Sequence, residues 1–288
     1  MKANKLKYLY ANVDGLKIFY REGGSKNKPH MILLNGVPNA SGAFQDLMNV
    51  LKEDFYLVAP DFPGFGYSDA PSPAEFEYSF DHISKVIERF ITVVGLHEPS
   101  VYALGYGGPV AFRIAVRKPD LFKTYIFQNS NAYEEGLGPA MQGAAPFLTN
   151  RNSETTELVK PLLAMEGLQL FFTAGAKDSS LINPDHIEQA FYLLNRPGQA
   201  EIQLDLLYNY GSNLEEYPVW QQFLVQRQPN ILLVWGKNDP FFPLPAAEAI
   251  QRAVPSAELY VYDTSHLALE EHFDDIAGRI KEYFNKHE

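Results

Sequence analysis

Two residues of this chain have the type and the setting to move a proton. Asp239 lies in Trp235-Gly-Lys-Asn-Asp239-Pro240, at the end of the apolar run Ile231-Leu-Leu-Val-Trp235. His266 closes Thr264-Ser265-His266, after Leu259-Tyr-Val-Tyr262. A carboxylate that accepts a hydrogen bond from an imidazole fixes the ring and leaves its other nitrogen to act as a base. Either residue alone would more often be structural. An acid and a histidine at the ends of successive strand-like runs, in that order, point to function. A third segment, Val101-Tyr-Ala-Leu-Gly105-Tyr106-Gly107-Gly108-Pro109-Val110, passes from a strand pattern through glycines straight into a helical one. A strand–turn–helix of this outline lifts its central residue, here Gly105, above a sheet. Two further loops follow apolar runs. Leu33-Leu-Asn35-Gly36-Val37-Pro38 either presents groups to a ligand or reverses the chain. Ala59-Pro60-Asp61-Phe62-Pro63-Gly64-Phe65-Gly66-Tyr67-Ser68-Asp69 reads as a rigid structural loop.

Such residues need a scaffold of strands. Leu6–Asn12 and Leu16–Arg21 flank Val13-Asp14-Gly15, the pattern of a β-hairpin. His30–Asn35, Phe55–Ala59, Ser100–Leu104, Thr124–Phe127, Ile231–Trp235 and Leu259–Tyr262 are short apolar runs, as in strands covered on both faces. Phe80, Ile83, Ile87, Phe90, Ile91 and Val94 recur at helical spacing. Pro109–Val116 and Leu267–Phe284 are further helices. Strands alternating with helices after an antiparallel start predict an α/β fold: a mostly parallel sheet with helices on both faces. In such a sheet ligands bind beyond the carboxyl ends of the strands, where every motif above sits. Between Asn131 and Gln228 the alternation stops, with helical patches at Glu154–Met165 and His186–Leu194 and no clear buried strand. That stretch reads as a cap over the strand ends, dividing the chain into a core of residues 1–131 and 229–288 and a cap of residues 132–228.

Composition narrows the classes. Of 288 residues, 46% are hydrophobic and 20% charged, as in a compact domain and unlike a disordered chain. Twenty-four Lys and Arg against 35 Asp and Glu leave a formal charge of −11, which argues against a nucleic-acid surface. The chain has no cysteine, which excludes disulfides, thiolate nucleophiles and Cys-held metals. Met1–Tyr10 carries lysines without an apolar stretch, and no run approaches the roughly 18 apolar residues of a membrane span. A cytoplasmic protein with no membrane association is the expectation. No His/Asp/Glu cluster has metal-ligand spacing, and Gly64-Phe-Gly66 lacks the strand–helix context of a dinucleotide site. No cofactor and no metal are expected.

Taken together, Gly36-Val37-Pro38, Asp61–Asp69, Tyr106-Gly-Gly-Pro-Val110, Trp235–Pro240 and Thr264-Ser-His-Leu-Ala-Leu-Glu270 resemble the α/β-hydrolase superfamily, in its branch of haloalkane dehalogenases and epoxide hydrolases. The resemblance runs over nearly the whole chain. It implies an eight-stranded core with an inserted helical cap, Asp239 as triad acid, His266 as triad base, and the N–H groups of Val37 and Tyr106 as an oxyanion hole. It also places Gly105 where this branch carries Asp and others Ser or Cys. Glycine cannot form an ester intermediate. Neither neighbour, Leu104 or Tyr106, offers a nucleophile by a shift of register. Asn35 is a second departure, standing where the family usually has His.

Three readings follow. In the first, His266 and Asp239 form a general-base pair acting without a covalent nucleophile, in elimination, cyclisation, isomerisation, retro-aldol cleavage or direct activation of water. In the second, the chain is a nucleophile-inactivated epoxide hydrolase or haloalkane dehalogenase. In the third, it binds a small molecule without turnover. The expected ligand is a small, mainly apolar molecule, and the expected assembly a monomer or homodimer. The cap is rich in aromatics, most of which should pack it together. By the resemblance, cap tyrosines reach the substrate, with Tyr192, Tyr208 and Tyr210 as candidates. Asn35 is a further candidate for substrate contact. Asn129, Ser130 and Asn131 either touch substrate or turn the chain. Glu270-Glu271 reads as structural, at a helix start.

Overall fold

The computed structural model describes residues 5–287, so Met1–Asn4, the start of the lysine-bearing stretch Met1–Tyr10, lie outside the described residues. Eight strands form one sheet: β1 (Lys7–Val13), β2 (Leu16–Gly23), β3 (His30–Leu34), β4 (Tyr56–Pro60), β5 (Ser100–Leu104), β6 (Thr124–Gln128), β7 (Asn230–Gly236) and β8 (Glu258–Tyr262). Their order is β1-β2-β4-β3-β5-β6-β7-β8. β1 pairs antiparallel with β2 and β2 with β4, while the remaining pairs are parallel. The antiparallel start is a tight hairpin. Asp14 (φ +50°) and Gly15 (φ +94°) take the left-handed turn that matches strand twist, and Asn12 Oδ1 accepts from Gly15 N–H.

Helices α1 (Gln45–Leu51), α2 (Phe80–Val94) and α3 (Gly107–Arg117) lie between the earlier strands. The β6–β7 connection holds α4 (Pro139–Thr149), α5 (Ser153–Val159), α6 (Met165–Thr173), α7 (Pro184–Leu194), α8 (Gln199–Asn209) and α9 (Gly211–Arg227). α10 (Pro245–Ala253) and α11 (Ala268–His287) complete the chain. α2 shows why such segments are helical. Ser79 caps its first turn by accepting from His82 N–H, its apolar stripe is buried, and Gly95 ends it at φ +72°.

Alternation along the strands divides the core. Met31 and Leu33 of β3 pack with Leu47 and Met48 of α1 and with Ile276 and Ile280 of α11. Ile32 and Leu34 face the other way, packing with Ile87 and Phe90 of α2 and Val110 and Ile114 of α3. Both faces of the sheet are thus covered, and the carboxyl ends of the parallel strands are left for loops. The helices of the β6–β7 connection straddle those ends. Phe147 and Ile202 join one core cluster, while Leu168 and Phe172 join the other. The last of them, α9, is also a core helix, because its Trp220 stacks on Phe112 of α3 at 5.2 Å and 10°. No helix among the described residues is long and apolar enough to cross a membrane.

Candidate active site

The acid and the base meet as the topology requires. β7 and β8 are parallel neighbours, so the loops that leave them lie side by side. His266 Nδ1 is 2.7 Å from Asp239 Oδ2, and the two residues are 3% and 2% exposed. A carboxylate only accepts, so the Nδ1 proton points to Asp239 and the Nε2 lone pair is free. The carboxylate is held on both oxygens. Oδ1 accepts from Phe241 N–H at 2.7 Å, and Oδ2 also accepts from Asn129 Nδ2 at 2.9 Å. Phe171, Phe241 and Phe242 surround the imidazole with ring centroids 5.5, 5.5 and 5.9 Å away. Gln128 Nε2 donates to the His266 carbonyl at 3.1 Å, which ties the histidine loop to β6.

Gly105 sits beneath this imidazole. It follows β5 directly and has φ +52°, a backbone conformation that strains any residue with a side chain. A Cβ built there would lie 2.8 Å from His266 Nε2. The imidazole edge therefore occupies the space into which a side chain at 105 would project. Gly36 brings the neighbouring loop up against the same turn, since a Cβ on it would lie 2.9 Å from the Leu104 carbonyl and 3.1 Å from Tyr106 N. That approach sets Val37 and Tyr106 on the wall of one cavity with Gly105 and His266. Tyr106 is the N-cap of α3, where backbone N–H groups have no helical acceptor.

The cavity is narrow, about 70 Å³. Its lining is overwhelmingly apolar and includes Met141, Leu168, Leu194, Leu204 and Phe242, with His266 and Gln203 as polar exceptions beside the Tyr106 ring. Such a surface suits a small organic molecule. Gln203 was not anticipated from the sequence. Its signal was an amide on the face of α8 that also carries Leu204 and Leu207, a polar residue within an apolar stripe.

The other anticipated contacts lie outside the residues that line this cavity. Tyr192 is 69% exposed and Tyr208 40%, and neither lines the cavity. Tyr210 is fully buried, but its hydroxyl pairs with that of Tyr217 at 3.1 Å, and Tyr217 in turn accepts from Asn131. Burial holds the Tyr210 and Tyr106 phenols well above their usual pKa, so both stay neutral. Asn35 is buried, with Nδ2 3.4 Å from the Pro60 carbonyl, and lines no part of the cavity.

Asn129 also serves the site from behind. Besides Asp239, its side chain bonds the N–H and carbonyl of Gly236, gripping the end of β7 that presents the acid. It does so at φ +44°, an uncommon conformation for a residue other than glycine. Ser130 Oγ donates toward the carbonyls of Ala103 and Gly105 and so braces the turn. Asp61 accepts from the N–H groups of Ser41 and Tyr67, the rigid-loop role expected of its segment. Glu270 and Glu271 do more than begin a helix, because they tie the inserted helices to the core through His186 and Asp178 N–H.

Comparison with known proteins places this architecture. A model of the alpha/beta hydrolase fold matches residues 29–273. The chain belongs to the alpha/beta hydrolase family. It is 33% identical to an uncharacterized hydrolase of Saccharomyces cerevisiae over 275 residues, 94% of each chain. It is 26% identical to epoxide hydrolase 4 of Mus musculus over 252 residues, 84% of this chain and 68% of that one. Over 114 residues it is 32% identical to haloalkane dehalogenase 2 of Mycobacterium tuberculosis, covering 40% of this chain and 38% of that one. The expected fold and the expected relatives are both found.

Proposed function

We propose that this alpha/beta hydrolase family member is an enzyme in which His266, oriented by Asp239, acts as a general base on a small, mainly apolar molecule without forming a covalent intermediate. The observation that carries the reading is Gly105. It stands at the centre of the strand–turn–helix with φ +52°, has no side chain to attack with, and lies directly under His266 Nε2. The free Nε2 lone pair then takes a proton from the substrate itself, in elimination, cyclisation, isomerisation or retro-aldol cleavage, or from a water. Val37 and Tyr106 N–H groups hold the negative charge that develops. Residues 132–228 act as the cap that closes the apolar cavity, and Asn129 keeps the acid in place. The protein works as a cytoplasmic monomer or homodimer on a small-molecule substrate. With the substrate in hand, His266→Ala lowers turnover by on the order of 10²–10⁴. Full activity in that variant would overturn the proposal.

A second reading has its own support, the similarity to epoxide hydrolase 4 over 84% of this chain. In it the chain is a nucleophile-inactivated variant of an epoxide hydrolase or haloalkane dehalogenase-like hydrolase that carries Asp at position 105. Gly105→Asp then yields diol from epoxides or halide from haloalkanes. Silence of that variant across both panels counts against it.

A further inference from the structure

One polar side chain in the wall of the cavity carries a buried atom with no hydrogen-bond partner. Gln203 lies on α8, is 4% exposed, and lines the cavity beside Leu204 and Leu207. Its Oε1 is buried and accepts no hydrogen bond. An amide oxygen in that condition is costly to keep and rare in a folded protein, so its presence needs a reason. A leucine would pack the same wall at no such cost. His266, which lines the same cavity, is tied to Asp239 through Nδ1 and keeps Nε2 open above Gly105. Among the described lining residues, Gln203 is the one with a fully buried side-chain atom that has no hydrogen-bond partner.

We propose that Gln203 is a specificity-determining residue of the cavity, selecting an otherwise apolar substrate that carries a hydroxyl or N–H group. The ligand's O–H or N–H donates to Oε1, while the rest of the molecule lies against leucine, methionine and phenylalanine side chains. A site built around such an acceptor discriminates against an analogue without the donor, because binding that analogue leaves the oxygen unpaired. The inference deepens the proposed function and rests on the cavity being the substrate site. It does not depend on His266 moving a proton.

The test uses the whole chain and two probes, benzyl alcohol and benzyl methyl ether, titrated by calorimetry into the natural protein and into Gln203→Leu. The two probes share the ring and the oxygen, and only the alcohol donates. The expected result is that the alcohol-to-ether affinity ratio falls by about 3- to 10-fold in the variant, the worth of one hydrogen bond. Thermal stability should meanwhile hold or rise, because the amide oxygen has no bond within the protein to lose. Gln203→Met, of similar length, gives the same result by a second route. If both probes bind and the ratio is unchanged, Gln203 is not the selector and the cavity reading stands. Should neither probe bind the natural protein, the cavity reading fails and takes this proposal with it. A fall in melting temperature of more than about 4 °C in both variants would show a structural amide and overturn the proposal.

Discussion

Between Asp239 and His266 the chemistry is set by which atoms are already engaged. Both carboxylate oxygens are satisfied, by His266, Asn129 and the Phe241 N–H, so the acid has little freedom to turn. The imidazole keeps Nε2 free above Gly105. This pair was legible in the sequence because each residue follows an apolar strand-like run, and strand ends in a parallel sheet share one edge. Asn129 was read as a turn or a substrate contact, since its grip on Gly236 and Asp239 spans more than a hundred residues and leaves no local pattern. Gly105 was legible for the opposite reason: the glycine run between strand and helix marks the turn by itself. Its geometry yields a prediction. Gly105→Ala places a Cβ at φ +52° and 2.8 Å from His266 Nε2. We expect a loss of about 1–2 kcal/mol in urea unfolding. The His266 ring should also move, seen as a changed imidazole nitrogen resonance. Unchanged stability and resonance would mean that the turn is not strained.

At the scale of elements, β3 to β7 were readable because each is buried on both faces and has Gly, Pro or Asn at an end, whereas β8, read the same way, is an edge strand with Val261 45% exposed. β4 began one residue later than its apolar run, and β7 one residue earlier. The inserted helices were harder. α4 contains Pro146 and α9 contains Pro218, each of which reads locally as a breaker. These helices also bury residues on more than one side, which blurs the apolar stripe. The same blurring explains Tyr192, Tyr208 and Tyr210: without the helix orientations, their faces could not be told apart. One contact between α7 and α11 makes the insertion sensitive to pH. His186 Nδ1 lies 2.8 Å from Glu270 Oε1, and that bond raises the histidine pKa above its ordinary 6.5 against an opposing effect of burial. A raised folded-state pKa gives stability that is full below 6.5 and is lost as the pH rises through the raised value. His186→Gln should therefore lower the melting temperature at pH 6 by about 2–4 °C, the equivalent of roughly 1 kcal/mol. The gap should narrow at pH 9. An equal gap at both values would remove the ion pair from the account.

The whole molecule places an apolar cavity beneath helices and gives it an apolar approach. A surface groove lined by Gly143, Leu158, Leu170 and their neighbours shares Val159, Leu162, Phe171 and Phe241 with the cavity wall. Leu158 and Leu170 of this groove are 57% and 62% exposed. Gly143 has open space where a side chain would go. Gly143→Trp should fill the groove and slow association of benzyl alcohol several-fold with the equilibrium affinity little changed. An unaltered association rate would put the entrance elsewhere. The central claim concerns what happens inside: His266 takes a proton with no covalent help from position 105. The most direct measurement incubates small apolar ketones, esters and epoxides with the protein in ¹⁸O-labelled D₂O and follows label uptake by mass spectrometry, with His266→Ala alongside. The account predicts deuterium at an acidic carbon, or ¹⁸O in a product, that appears with the natural protein and disappears with the variant. No label above the uncatalysed background, or equal uptake in His266→Ala, would contradict it.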